Sequence, residues 1–267
     1  MIRRAVFAGD WYPGDPRRLR AALASYIESS DAEQDVIGVV APHAGYMYSG
    51  HVAGAVYSQA RIPNAVVVLC VNHRGVGPRA AIMGAGHWET PLGPVPIQEE
   101  LAGDLKKKVG FLEEDAAAHA REHSLEMQLP FLQFRNQGVH LVPICLQRLD
   151  YAECAALGEG LAKAVEEFPE PVLLVASTDM THFESQEDAK RRDMLAIDRV
   201  LEIDPRGLYQ TVTDHGISMC GFIPTTCVLC ACKSLGATQG TLVRYATSGD
   251  VSGDYASVVG YAGIYLK

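Results

Sequence analysis

The stretch VIGVVAPHAGYMYSGHVAG, residues 36–54, decides the fold. An apolar run ends at Pro42, His43 follows in a loop of Gly and Tyr, and Ser49-Gly50 opens a helical pattern. Near-continuous apolarity, rather than strict alternation, marks a strand covered on both faces. Three further runs have the same character: AVVVLCV (65–71), VHLVPICL (139–146) and PVLLVAST (171–178). Helix-length segments separate them, at about 15–28, 50–60, 98–109, 122–135, 151–167, 185–202 and 222–235. In the segment 151–167, Ala155, Leu157, Leu161 and Val165 fall near helical spacing. Two later runs, GTLVRYAT (240–247) and SVVGYAGIYL (257–266), read as strands closing one edge of the sheet. The expectation is a single α/β domain over residues 1–267, with a central mixed β-sheet flanked by helices.

Charge narrows the functions available. The formal net charge of −9 argues against nucleic acid as a main partner. The short basic clusters, Lys106-Lys107-Lys108 and Lys190-Arg191-Arg192, lie inside helical patterns and read as solvated faces. The charge-free stretch GISMCGFIPTTCVLCAC (216–232) is interrupted by Gly221 and Pro224. It falls short of the roughly 20 apolar residues that span a bilayer. The N-terminus carries no apolar h-region, so no secretory signal is expected. Seven scattered cysteines, an odd number, fit free thiols in a reducing cytoplasm better than a disulfide framework.

Ligands of open α/β sheets bind where strands end and their loops converge. The first run here ends in Pro42-His43, the second in Asn72-His73, and the run at 171–178 continues into Asp179 and His182. One such histidine taken alone reads as a hydrogen-bonded loop residue. Three at equivalent positions point to a shared centre, because imidazole is a common transition-metal ligand and exchanges protons near neutral pH. Cys220, ahead of a buried helix, offers a soft fourth group that the helix dipole would favour as thiolate; its plainer reading is a small buried hydrophobe. Cys227, Cys230 and Cys232 have no partner pair at zinc-ribbon spacing and read as helix packing.

In REHSLEMQLPFLQF, His123 and Glu126 are three apart beside Glu122, which suits either an orienting role around a metal ligand or a helix cap. Trp11, Tyr12, Tyr46 and Tyr48 serve either as packing or as pocket walls. No nucleophile elbow, Walker A loop or dinucleotide fingerprint occurs.

Six motifs, AGDWYPGD, APHAGYMYSG, VNHRG, EHSLEMQLPF, STDMTHF and MCG, occur in an order that resembles the Memo family. In prokaryotes this family is called AmmeMemoRadiSam system protein B. The resemblance runs from about Ala8 to Ile264. It implies a fold similar to LigB-type class III extradiol dioxygenases, in which two histidines and a carboxylate hold Fe(II) and a further histidine serves acid–base catalysis. In Memo proteins a cysteine stands where the third ligand is expected. By motif, the resemblance implies metal ligands at His43, His73 and Cys220 and a catalytic His182. Asp179, His123, Glu126, Tyr46 and Trp11 are the further pocket candidates. Arg74 is a departure that adds charge nearby. A thiolate in place of a carboxylate shifts the expected metal toward Fe(II), with copper as the alternative, and weakens the transfer of dioxygenase activity.

Three functional readings follow. The first is a metal-dependent redox enzyme, dioxygenase-like, acting on an unknown small-molecule substrate. The second is a non-catalytic adaptor that uses the same cleft. The third is an accessory component working beside radical SAM and AMMECR1-type proteins. The chain has no C-x3-C-x2-C motif, so it is not itself the radical enzyme.

Overall fold

The computed structural model describes residues 1–27 and 33–267. In chain order the elements are β1 (Ile2–Arg3), α1 (Pro16–Tyr26), β2 (Gly38–Ala41), α2 (Tyr46–Gln59), β3 (Ala65–Val71), β4 (Ala80–Ile82), β5 (His87–Thr90) and β6 (Gly93–Pro96). Next come α3 (Glu99–Lys108), β7 (Glu113–Glu114), α4 (His123–Glu126), α5 (Leu129–Arg135), β8 (His140–Leu146), α6 (Tyr151–Glu167), β9 (Val172–Ser177) and β10 (His182–Glu184). The chain ends with α7 (Gln186–Leu201), α8 (Pro205–His215), α9 (Phe222–Ser234), β11 (Gly240–Thr247), α10 (Gly249–Ser252) and β12 (Val258–Leu266).

The main sheet runs β10-β12-β2-β9-β3-β8-β4-β7, with β11 also paired to β12. Strands β2, β9, β3 and β8 are mutually parallel, whereas β12 is antiparallel to β2 and β4 to β8. The mixed α/β sheet expected from the apolar runs is therefore present. Every residue of β2 and β9 is buried, which requires cover on both faces. Helix α2 packs against β11, β12 and β2, helix α9 against β2, β3 and β9, and α6 packs on α9. Gly38 lets α9 approach, since a Cβ there would press on Cys232 Sγ and Val228. A small second sheet, β1-β5-β6, brings the N-terminus alongside Trp88.

Two helix expectations change. The second helix begins at Tyr46 rather than at Ser49-Gly50, with Gly45 as its N-cap, because the Tyr46 amide bonds back to the Trp11 carbonyl. The segment 122–135 is two short helices, α4 and α5, divided at Met127-Gln128. Pro130 in the first turn of α5 has no N–H to carry the α4 ladder through. The first helix covers Pro16–Tyr26; residue 28 of its expected span lies outside the described residues. Among the described residues, no helix is long and apolar enough to cross a membrane.

Candidate metal centre

The adjacent parallel strands β2, β9 and β3 end side by side, so the loops that follow them meet. His43 follows β2, His73 follows β3, and Asp179 and His182 follow β9. The structure brings His43 and His73 together, with ring centroids 5.4 Å apart. It adds His123 from α4, 5.3 Å from the His43 ring and 4.6 Å from that of His73. Ligand atoms of His43, His73 and His123 all lie within 4.8 Å of one another, a spacing that could hold one metal ion. Cys220 Sγ sits 3.3 Å from His43 Nε2. His182 lines the same cavity as the three histidines.

Hydrogen bonds fix which imidazole nitrogen is free. Ser177 Oγ donates to the Ser124 carbonyl at 2.6 Å and accepts from Gln128 Nε2 at 2.8 Å. Gln128 is oriented by Tyr57, whose hydroxyl donates to its Oε1. With the one Ser177 proton already committed, His43 Nδ1, 2.9 Å away, must donate to Ser177 Oγ. His73 Nδ1 lies 2.9 Å from Glu122 Oε1, an acceptor only when ionised, and so donates to it. His182 Nδ1 donates to the Ser218 carbonyl at 3.0 Å. In all three Nε2 is the unprotonated nitrogen, the tautomer that a metal ligand or a proton acceptor needs, and in His43 it faces the Cys220 thiol at 3.3 Å.

Burial sets the charges. His43 is almost fully buried, and desolvation followed by the neighbouring His73 depresses it to about 3. Desolvation and then His43 hold His123 at about 3 as well. Both rings are neutral at ordinary pH. Burial pushes Glu122 up, but the His73 hydrogen bond and charge and the Ser124 amide outweigh it and bring Glu122 down to about 2. Glu122 is also the N-cap of α4, so it caps the helix and orients His73 at once. Asp179 is raised by burial; its Oδ1 accepts the His43 amide at 2.8 Å. Cys220 is raised too, by burial and then by Asp179, which outweighs the helix-dipole effect expected for a thiol ahead of α9. Gly221 allows this approach, because a Cβ there would collide with Thr178 and the Ser177 carbonyl.

A cavity of about 1070 Å³ opens over the cluster. Trp11, Tyr46 and Tyr48 are among its lining residues, and Tyr46 also packs against Tyr12, Tyr26 and Phe131. The Trp11 ring lies 4.5 Å from His123, and Tyr46 hydroxyl donates to the Met127 carbonyl. Glu126 does something different from orienting a histidine. Its carboxylate pairs with Arg3 and accepts the Val6 and Phe7 amides and the Tyr12 hydroxyl, tying down the N-terminal segment that forms one cavity wall. Sequence reasoning missed Ser177 and Ser218 as orienting groups. Ser177 stands at a buried strand end two residues before Asp179, a signal that was available.

A family model described as Memo-like protein matches residues 3–265. The chain belongs to the Memo family. Among Memo relatives, a MEMO1 family protein of Methanopyrus kandleri is 41% identical, covering 100% of this chain and 99% of that one. Another, from Methanothermobacter thermautotrophicus, is 39% identical over 98% of this chain and 99% of its own length. An uncharacterised Escherichia coli protein of known crystal structure shares the Memo chain's fold, with a TM-score of 0.57 over 84% of this chain and 98% of that one. At 13% identity that likeness concerns fold alone.

Proposed function

We propose that this Memo-family chain is a metal-dependent redox enzyme acting on a small substrate, with one iron ion, or copper, held by His43, His73 and Cys220. The observation that carries the reading is the shared tautomer: His43 and His73 each commit Nδ1–H to a buried acceptor and keep Nε2 unprotonated, with the Cys220 thiol 3.3 Å from that of His43. Imidazole and thiol donors suit iron or copper better than a hard cation. When bound, such a metal supplies one-electron chemistry and an electrophilic site. His182, with Nδ1–H fixed on Ser218, accepts or delivers a proton at Nε2. The raised Cys220 thiol gives up its proton on metal binding, so affinity rises with pH. The aromatic walls exclude water and orient the substrate.

His123 supports an all-nitrogen variant of the same centre, since its ligand atom completes the close trio. The test is metal content and spectroscopy after anaerobic purification. One iron or copper per chain is expected, lost in His43→Ala. Loss of the thiolate charge-transfer band in Cys220→Ser supports the two-histidine, one-cysteine set. Unchanged spectra in Cys220→Ser with loss of metal in His123→Ala assign the three-histidine set. A folded wild type that takes up neither metal overturns the proposal. The family resemblance further supports action in one pathway with radical SAM and AMMECR1-type proteins, which co-location of their genes would test.

A further inference from the structure

Between His182 and Glu184 the register of β10 slips. His182 faces Val259 and Glu184 faces Val258, so Phe183 is the extra residue of a β-bulge. Its φ is +61°, in the left-handed region that favours Gly, Asn or Asp. The chain is pinned on both sides. Thr181 amide donates to Asp193 Oδ1 and His182 amide to Ser218 Oγ, each at 2.8 Å. Ser185 then caps α7. Backbone strain persists where surroundings over-determine it, and it concentrates at functional positions.

Packing gives no reason for a phenylalanine in this place. Phe183 is 76% exposed, the most exposed large apolar side chain among the described residues. Its ring meets the His182 ring edge-on at 5.7 Å. His182 and its strand partner Val259 both line the cavity, as do Trp11 and Met47, which are themselves exposed. The bulge thus leaves His182 in the cavity lining and packs the exposed Phe183 ring, itself outside that lining, against the His182 ring.

We infer that Phe183 is a specificity-determining residue, the outer lip of the cavity. It contacts the aromatic or apolar tail of a small ligand whose polar head reaches His43 and His73. The inference rests on the proposed metal centre for the head and on the bulge geometry for the tail. Trp11 and Met47 give that tail further apolar surface.

The test uses the full chain loaded anaerobically with Fe(II), titrated with benzohydroxamate and acetohydroxamate, together with wild type, Phe183→Asn and Phe183→Leu. Asn tolerates the left-handed backbone, so Phe183→Asn is expected to keep or raise Tm. Its preference for benzohydroxamate over acetohydroxamate should fall about fivefold, with acetohydroxamate affinity unchanged and Phe183→Leu intermediate. In metal-free protein, diethyl pyrocarbonate should modify His182 about threefold faster in Phe183→Asn, the low end of what an aromatic contact is worth. Equal preference and equal His182 reactivity in wild type and Phe183→Asn overturn the inference. So does a Tm drop of several degrees with both probes weakened alike, which would make the ring structural. If wild type binds neither hydroxamate, the metal reading has failed and the His182 reactivity alone decides the role of Phe183.

Discussion

Glu122 holds more of the centre in place than any histidine does. One carboxylate accepts the His73 amide and Nδ1, the Ser124 amide and the Ser124 hydroxyl. Glu122→Gln keeps an acceptor but removes the charge that makes His73 a stronger ligand. It should weaken metal affinity about 10- to 100-fold with little change in the far-UV spectrum, read by competition with a chelator of known affinity. An unchanged affinity would show that His73 needs no such support. At single positions the sequence was informative where the strand end fixed the place: Pro42-His43 and Asn72-His73 fall where the rule for open sheets puts them. His123 was legible as a helix-start residue and a pocket candidate, but not as a third ring beside His43 and His73. Its approach to the other two rings depends on α4 lying beside the end of β3, a long-range contact that no local pattern encodes.

Beyond β1 the N-terminal segment has little regular structure, and a buried ion pair between Arg3 and Glu126 anchors its start. Arg3 bonds to Glu126, to the Glu122 and His119 carbonyls, and lies over Trp88 at 4.5 Å. Glu126→Ala leaves this guanidinium buried without its partner and should cost about 3–5 kcal/mol in urea unfolding. It should also loosen Trp11 from His123, seen as a shift in tryptophan emission that is absent when Trp11 is already replaced by Phe. The long strands and helices were readable because each carries a full apolar run or stripe, and β3 and β11 match their expected limits to the residue. The short strands β4 to β7 have too few residues to show a period. Helix α8 escaped notice because only Leu208 and Val212 mark its apolar stripe, although Asp204, Pro205 and Gly216 punctuate its ends as cap, first turn and left-handed stop.

Across the molecule, buried neutral histidines set the acid limit. His119 is fully buried with both ring nitrogens unpartnered, and desolvation followed by Arg3 lowers it to about 4. His43 and His123 are lowered to about 3. In the unfolded chain each takes its proton near 6.5. The unfolded state therefore binds more protons below that pH, and stability falls as pH drops from 6.5 toward 3. For metal-free protein, Tm should decline across this window, and His119→Leu should flatten the limb between 6.5 and 4. A His119→Leu profile parallel to wild type would show that His119 charges at no cost. The sheet order carries a separate consequence. Among the described residues, the strand partners of β2, which delivers His43, are β9 and β12, and both are made far later in the chain. A nascent polypeptide would thus hold its first histidine without either flanking strand until synthesis is nearly done. Such non-local pairing slows folding, so an ion taken up by this cluster would meet a finished protein rather than guide its assembly.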